Sequence, residues 1–272
     1  MTDADTGNSG DGTAAADSLT VLKLGGSVVT DKDEKETVDM DNLAAVSRAI
    51  GAAYGANAGT DRDPGARGLV VVHGGGSFGH HHAANYGVSR TDGTSNVEAI
   101  RTIHDAMGRL NKAVLDFLGD AGVDAVPVRP YSAADRDSAG ELDLYTGQMQ
   151  GMLDEGFVPV LHGDVVTHAG KGATILSGDE LVTEIAAELY ADRVGVCSTV
   201  PGVLDDEDEV IPEISSMDDV RQYLGESEST DVTGGMAAKV EALLGLDAPA
   251  SVFGPDDLQA FLAGERVGTT IR

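Results

Sequence analysis

Basic side chains are scarce in this sequence: 18 lysines and arginines stand against 46 aspartates and glutamates, a net charge of −28 over 272 residues. A surface this acidic repels nucleic acid and anionic membranes, so neither is expected as a partner. Cysteine occurs once, at Cys197, which rules out an internal disulfide; inside the apolar run 194–197 it reads as a buried core thiol, in keeping with a reducing cytoplasm. Long apolar runs are missing as well. Nothing approaches the roughly 20 residues of a membrane span, and the N-terminus lacks the apolar core of a signal peptide, so the expected location is cytoplasmic.

The acid is spread along the whole chain, and Ala, Gly, Val and Asp are plentiful. That pattern suits a protein kept soluble in concentrated salt, where the Debye length shrinks to about 3 Å at 1 M and self-repulsion is screened. A halophile's cytoplasm is the expected setting. Six lysines remain, Lys23, Lys32, Lys35, Lys112, Lys171 and Lys239. Where acidity has displaced most lysines, those beside glycine turns are the ones expected to have a task.

The stretch from Val70 to Ala83, VVVHGGGSFGHHHA, runs from a buried-strand pattern into three consecutive glycines and then three histidines. Glycines at such a turn let the backbone bend sharply and present its N–H groups, and a helix start behind them favours an anion. Two more turns of this kind occur, LKLGGS from Leu22 and TGGMAAK from Thr233, each placing a glycine pair within four residues of a lysine. Three phosphate-sized cradles point to a substrate carrying several phosphates.

At this length one core is expected, or two intimate lobes. Residues 1–18 are polar, acidic and without apolar periodicity, the pattern of a disordered tail, and the fold is expected over 19–272. Strands are expected at Leu19–Leu24, Val70–Val72, Asp124–Val128, Val158–Leu161, Arg193–Ser198, Ala250–Phe253 and Val267–Ile271. A hairpin is expected around Gly170-Lys171-Gly172. Asp41 is the expected cap of a helix carrying Leu43, Val46 and Ile50, and Val97–Leu118 is the longest helix. Further helices are expected at Tyr145–Glu155, after the S-x-x-E capping box Ser177/Glu180, at Gly235–Leu246 and at Pro255–Leu262. Asn85–Asn96 reads as a mobile flap, 57–68 as a surface loop and 226–231 as a linker. Alternating strands and helices imply an α/β fold with a mostly parallel central sheet.

The motifs LKLGGSVVTDK, HGGGSFGH, LHGDVV, ILSGDE and DVTGGMAAK, in this order, resemble the amino acid kinase superfamily from Leu19 to the C-terminus. The histidine closing GGGSFGH is narrower, and is similar to that of the isopentenyl phosphate kinases and the related fosfomycin kinases. The resemblance implies a three-layer αβα sandwich, a homodimer, ATP as phosphoryl donor, and Mg²⁺ held mainly by the nucleotide phosphates, with no metal ligands on the chain. It implies phosphorylation of isopentenyl phosphate to the diphosphate; the alternatives are another small phosphate or phosphonate such as fosfomycin, or a non-catalytic nucleotide-binding regulator on the same fold.

By the same resemblance Lys23 and Lys239 contact ATP phosphates, Lys32 reaches the transferring phosphate, and Asp179 orients the lysines. Gly25, Gly26, Ser27, Gly76 and Gly235 belong to the ATP side. Gly75, Gly163, Val165 and Ile175 belong to the acceptor side; Met107 or Met149 are candidate additions to an apolar pocket for the tail, with core packing the favoured role of each. His80 fits the chemistry: a phosphate monoester has a second pKa of about 6 and is already an anionic nucleophile, so a hydrogen-bond donor serves it better than a general base. His73 and His162 read as structural; a solvent-facing helix start is the better reading for His81 or His82, to which no role is assigned. The chain departs from the family at Ser198-Thr199-Val200-Pro201-Gly202, where many members carry an aspartate after the strand.

Overall fold

The fold was taken from a computed structural model, which describes residues 18–55, 68–223 and 235–272. The predicted tail, surface loop and linker lie almost wholly outside these residues. The described residues open with β1 (Leu19–Leu24), a one-turn α1 (Gly26–Val29), the two-residue strands β2 (Thr30–Asp31) and β3 (Thr37–Val38), and α2 (Met40–Tyr54). It continues through β4 (Gly68–His73), α3 (Gly76–Tyr86), α4 (Val97–Asp120), β5 (Ala125–Pro127), α5 (Pro130–Ala133), β6 (Ala134–Arg136), β7 (Leu142–Leu144) and α6 (Gly147–Asp154). Then come β8 (Val158–His162), β9 (Asp164–His168), β10 (Gly172–Leu176), α7 (Gly178–Glu188), β11 (Arg193–Cys197) and β12 (Glu213–Ile214). The last elements are α8 (Gly235–Leu244), β13 (Ala250–Phe253), α9 (Leu258–Ala263) and β14 (Thr269–Ile271).

Among the described residues, eight strands form the central sheet in the order β12-β14-β13-β11-β1-β4-β8-β5. Its pairings are parallel except for β13 with β14. Successive strand residues face opposite sides, so β4 sends Val70 and Val72 into one apolar cluster and Leu69 and Val71 into the other. The first cluster is closed by Leu181 and Ile185 of α7, Val240 of α8 and Met149 of α6. The second is closed by Leu43 and Ile50 of α2, Leu110 and Val114 of α4 and Phe261 of α9. Helices thus cover both faces, giving the expected three layers.

The hairpin expected around Gly170 to Gly172 is β9 and β10, paired antiparallel with Ile175 opposite Val165. A second sheet, β10-β9-β6-β7, grows from it. Asp39, two residues before the expected cap, closes the start of α2: its carboxylate accepts from Asn42 N–H at 3.0 Å, while Asp41 lies in the first turn. The expected flap at 85–96 is tied down. Its first two residues finish α3, Ile175 N–H donates to Ser89 O at 3.0 Å, Thr94 N–H to Ala173 O at 2.8 Å, and Lys171 Nζ to Thr91 O at 3.1 Å. None of the described helices is long and apolar enough to cross a membrane.

Candidate active site

Glycine turns meet at one edge of the sheet because the strands that feed them are neighbours, parallel and in register. Cys197 pairs with Leu24, Leu24 with His73, and His73 with His162. One residue further the ladder continues: Gly25 N–H donates to Cys197 O at 2.8 Å, Gly74 N–H to Leu24 O at 2.9 Å, and Gly163 N–H to His73 O at 3.1 Å. The loops therefore leave the sheet level with one another at the carboxyl ends of parallel strands, where open α/β sheets form their crevice.

Two of these turns lock backbone against backbone. A Cβ on Gly74 would lie 2.6 Å from Gly26 N, and one on Gly26 would lie 2.7 Å from Gly76 Cα. Gly76 also has φ +46, in the left-handed region that disfavours a side chain. The N–H groups of Gly26, Ser27, Gly75 and Gly76 find no acceptor among the described residues. Orphan donors from the first turn of α1 and from the positive end of α3 together make an anion cradle.

The cradle opens into a cavity of about 730 Å³. Four of the six lysines line it, Lys23, Lys32, Lys35 and Lys239. Lys23 projects from β1 and its Nζ lies 2.6 Å from Asp179 Oδ1, in the first turn of α7. Burial works to raise the Asp179 pKa, but the charges of Lys23 and Lys239 and the Lys23 hydrogen bond outweigh it and hold the carboxyl below its usual range. Asp179 is thus a fixed anion, paired with Lys23 and within the field of Lys239. Ser198 and Thr199, after β11, also line the cavity.

Away from the cradle the walls become apolar. His80, Ala83 and Ala84 of α3 share a helix face, as do Ile103 and Met107 of α4, while β10 supplies Ile175 and Leu176. Beneath this end, Asp164 is buried on the cavity wall, accepting from Val165 N–H and from His104 Nδ1 at 2.8 Å each. That hydrogen bond raises the His104 pKa. His73 and His162 are fully buried side by side, ring centroids 5.6 Å apart, each placing Nδ1 about 3 Å from the carbonyl of its following glycine. Burial pushes their pKa values down to about 4 and about 3, so both are neutral.

A sequence profile of the amino acid kinase family matches residues 18–246. The chain belongs to the amino acid kinase family. Among members of this family it is 60% identical, over 94% of its length and 99% of the relative's, to an isopentenyl phosphate kinase of Haloferax volcanii. A second isopentenyl phosphate kinase, from Methanocaldococcus jannaschii, is 33% identical over 93% of this chain and 98% of its own. A solved structure of isopentenyl phosphate kinase superposes with a TM-score of 0.76 at 28% identity, covering 93% of this chain and all of the other.

Of the residues singled out from the sequence of this amino acid kinase, Lys23, Gly25, Gly26, Ser27, Lys32, Gly75, Gly76, His80, Gly163, Ile175, Asp179, Lys239 and Met107 all line the one cavity. Gly235 opens α8 with φ +70, and from that helix Lys239 is the cavity-lining residue among those described. Val165 is buried in an apolar cluster with Ile103 and Ile175, behind the wall those two present. Met149 packs in the main core on the far side of the sheet and adds nothing to the pocket. His82 does not face solvent: it is buried, with Nε2 2.6 Å from Glu36 Oε1. Sequence reasoning missed Lys35, Asp164, Ala83, Ala84 and Ile103 on the wall; for Lys35 the signal was the scarcity of lysine itself, and for Asp164 its place directly after Gly163.

Proposed function

We propose that this chain transfers the γ-phosphoryl group of ATP to isopentenyl phosphate, yielding isopentenyl diphosphate and ADP. The observation that carries it is a single cavity whose one end is lined by lysines and unpaired N–H donors and whose other end is aliphatic, with α3 running along both. His80 sits one turn nearer the glycine cradle than Ala83 and Ala84, so an acceptor phosphate at His80 leaves its tail roughly 5 Å further along the helix, between α4 and β10. The name borne by the 60% identical relative supports the same acceptor.

In this reading Lys23 and Lys239 hold donor phosphates, with Gly25, Gly26, Ser27 and Gly76 giving backbone contacts and Gly235 opening the helix that bears Lys239. Lys32 faces the transferring group and neutralises its charge as the acceptor oxygen bonds to the γ-phosphorus and the bond to the bridging oxygen of ADP breaks. Gly75, Gly163 and His80 hold the acceptor phosphate, which arrives as an anion and needs no base. Ile175 lines the tail pocket and Val165 supports it. With Asp179 committed to Lys23 and no cluster of three metal-ligating side chains among the described residues, Mg²⁺ would be held mainly by the nucleotide phosphates and would add to the neutralisation that Lys23 and Lys239 give them.

ADP release in molar KCl with Mg-ATP, compared for isopentenyl phosphate, isopentenol and fosfomycin, tests the reading. Turnover with isopentenyl phosphate alone, reduced in His80→Ala chiefly through kcat/KM, is the expected result. Bound ATP with no ADP released for any acceptor overturns it and leaves a nucleotide-binding regulator.

A further inference from the structure

Lys32 and Lys35 sit on a short exposed loop between β2 and β3, and its last residue is unusual in two respects. Glu36 has φ +51, a left-handed conformation that is unfavourable for a non-glycine residue and persists where surroundings hold it. Its carboxylate is shared: His82 Nε2 on α3 lies 2.6 Å from Oε1, and Arg109 Nη2 on α4 lies 2.6 Å from Oε2. Ser77, at the start of α3, adds weaker ties, its carbonyl 3.5 Å from Glu36 N and its hydroxyl 3.4 Å from Thr37 N. The hydrogen bonds from His82, then from Arg109, hold the Glu36 pKa below its usual value. The loop's end is thus bound to the two helices that build the acceptor wall.

On the strength of the phosphoryl-transfer reading above, we infer that Glu36 is a positioning residue: by clasping His82 and Arg109 it fixes the loop that presents Lys32 and Lys35 to the cavity. The left-handed turn swings the Glu36 side chain back to α3 and α4, and the loop before it passes over the glycine cradle, where both lysines reach the cavity wall. His82 is the tighter arm because it is buried; the Arg109 side chain is 55% exposed and its ion pair is correspondingly weaker.

The experiment is a cycle of Glu36→Ala, Lys32→Ala and the double variant, with Glu36→Gln and Arg109→Leu as milder variants should Glu36→Ala fold poorly. Amide hydrogen exchange of residues 31–36 needs no substrate and reads the anchoring directly. It is expected to rise about tenfold in Glu36→Ala and less in Glu36→Gln, while exchange in β1 and β4 stays unchanged. Turnover with isopentenyl phosphate reads the consequence. Glu36→Ala lowers kcat about tenfold with the KM for ATP within twofold, yet changes kcat less than twofold in the Lys32→Ala background. Unchanged exchange overturns the anchoring whatever the acceptor proves to be. Equal losses with Lys32 present and in the Lys32→Ala background overturn action through Lys32 and leave a general structural role. A wild type without turnover counts against the proposed reaction, and the exchange measurement still decides the clasp.

Discussion

Lys23 Nζ and Asp179 Oδ1 lie 2.6 Å apart, joining the end of the first strand to the first turn of α7 across the floor of the cavity. Their side chains are 9% and 21% exposed, so neither charge is left to water. Asp179→Asn keeps the shape and removes the anion. It is expected to lower kcat/KM about 100-fold, and to cost about 2 kcal/mol of stability because Lys23 then stays largely buried beside a neutral amide. Steady-state kinetics and denaturant unfolding at one fixed salt concentration read the two effects. The pKa of Asp179 is depressed, so the stability it contributes is present above about pH 4 and is lost as pH falls through its lowered folded value.

Gly74→Ala tests the locked turns. The added Cβ meets Gly26 N at 2.6 Å, where only backbone can yield, and the expected cost is about 2 kcal/mol together with loss of most phosphoryl transfer. Gly151→Ala is the counterpart: in α6 nothing lies within 4 Å of the new Cβ, and a gain of about 0.5 kcal/mol is expected from helix propensity. Urea midpoints at constant slope compare the two.

His73 and His162 set the acid limb of stability. Their folded pKa values, about 4 and about 3, lie below the usual 6.5, so as pH drops under 6.5 the unfolded chain takes up protons that the folded chain refuses. Stability is therefore expected to fall by about 1.2 kcal/mol for each histidine between pH 6 and pH 5. His162→Phe should flatten the slope measured by urea unfolding in that window. His104 acts with the opposite sign: its pKa is raised by Asp164, so its contribution is complete below about 6.5 and is lost as pH rises through the raised value.

The net charge of −28 makes a separate forecast. Raising KCl from about 0.1 M to about 2 M shortens the screening length several-fold and relieves self-repulsion, so the melting temperature should climb steadily. A melting temperature insensitive to KCl contradicts the expectation of adaptation to salt.

Local pattern carried much of this structure. β1 was legible to the residue because an apolar run stops at a glycine pair, and α4 because Ile103, Met107, Leu110 and Val114 keep helical spacing. The cradle was legible because its glycines follow buried strands directly. Contacts distant in sequence were not. Glu36 meets His82 and Arg109 from 46 and 73 residues away, and no local rule marks a glutamate for a left-handed turn. β6 and β7, three residues each, are too short for an alternating pattern to register, so the second sheet went unread. Asn85–Asn96 looked mobile because it is polar; its backbone bonds to β10 are invisible in composition. Asp39 and Asp41 are both good caps, and only the observed turn distinguishes them.

The central claim is phosphoryl transfer onto a phosphate. The most direct measurement supplies ATP labelled with ¹⁸O in its γ-phosphoryl group, together with isopentenyl phosphate, in molar KCl and Mg²⁺, and follows the products by ³¹P NMR. The label is predicted in the terminal phosphoryl group of a new diphosphate, formed one for one with ADP. Label that appears only in inorganic phosphate, or remains in ATP, contradicts the account.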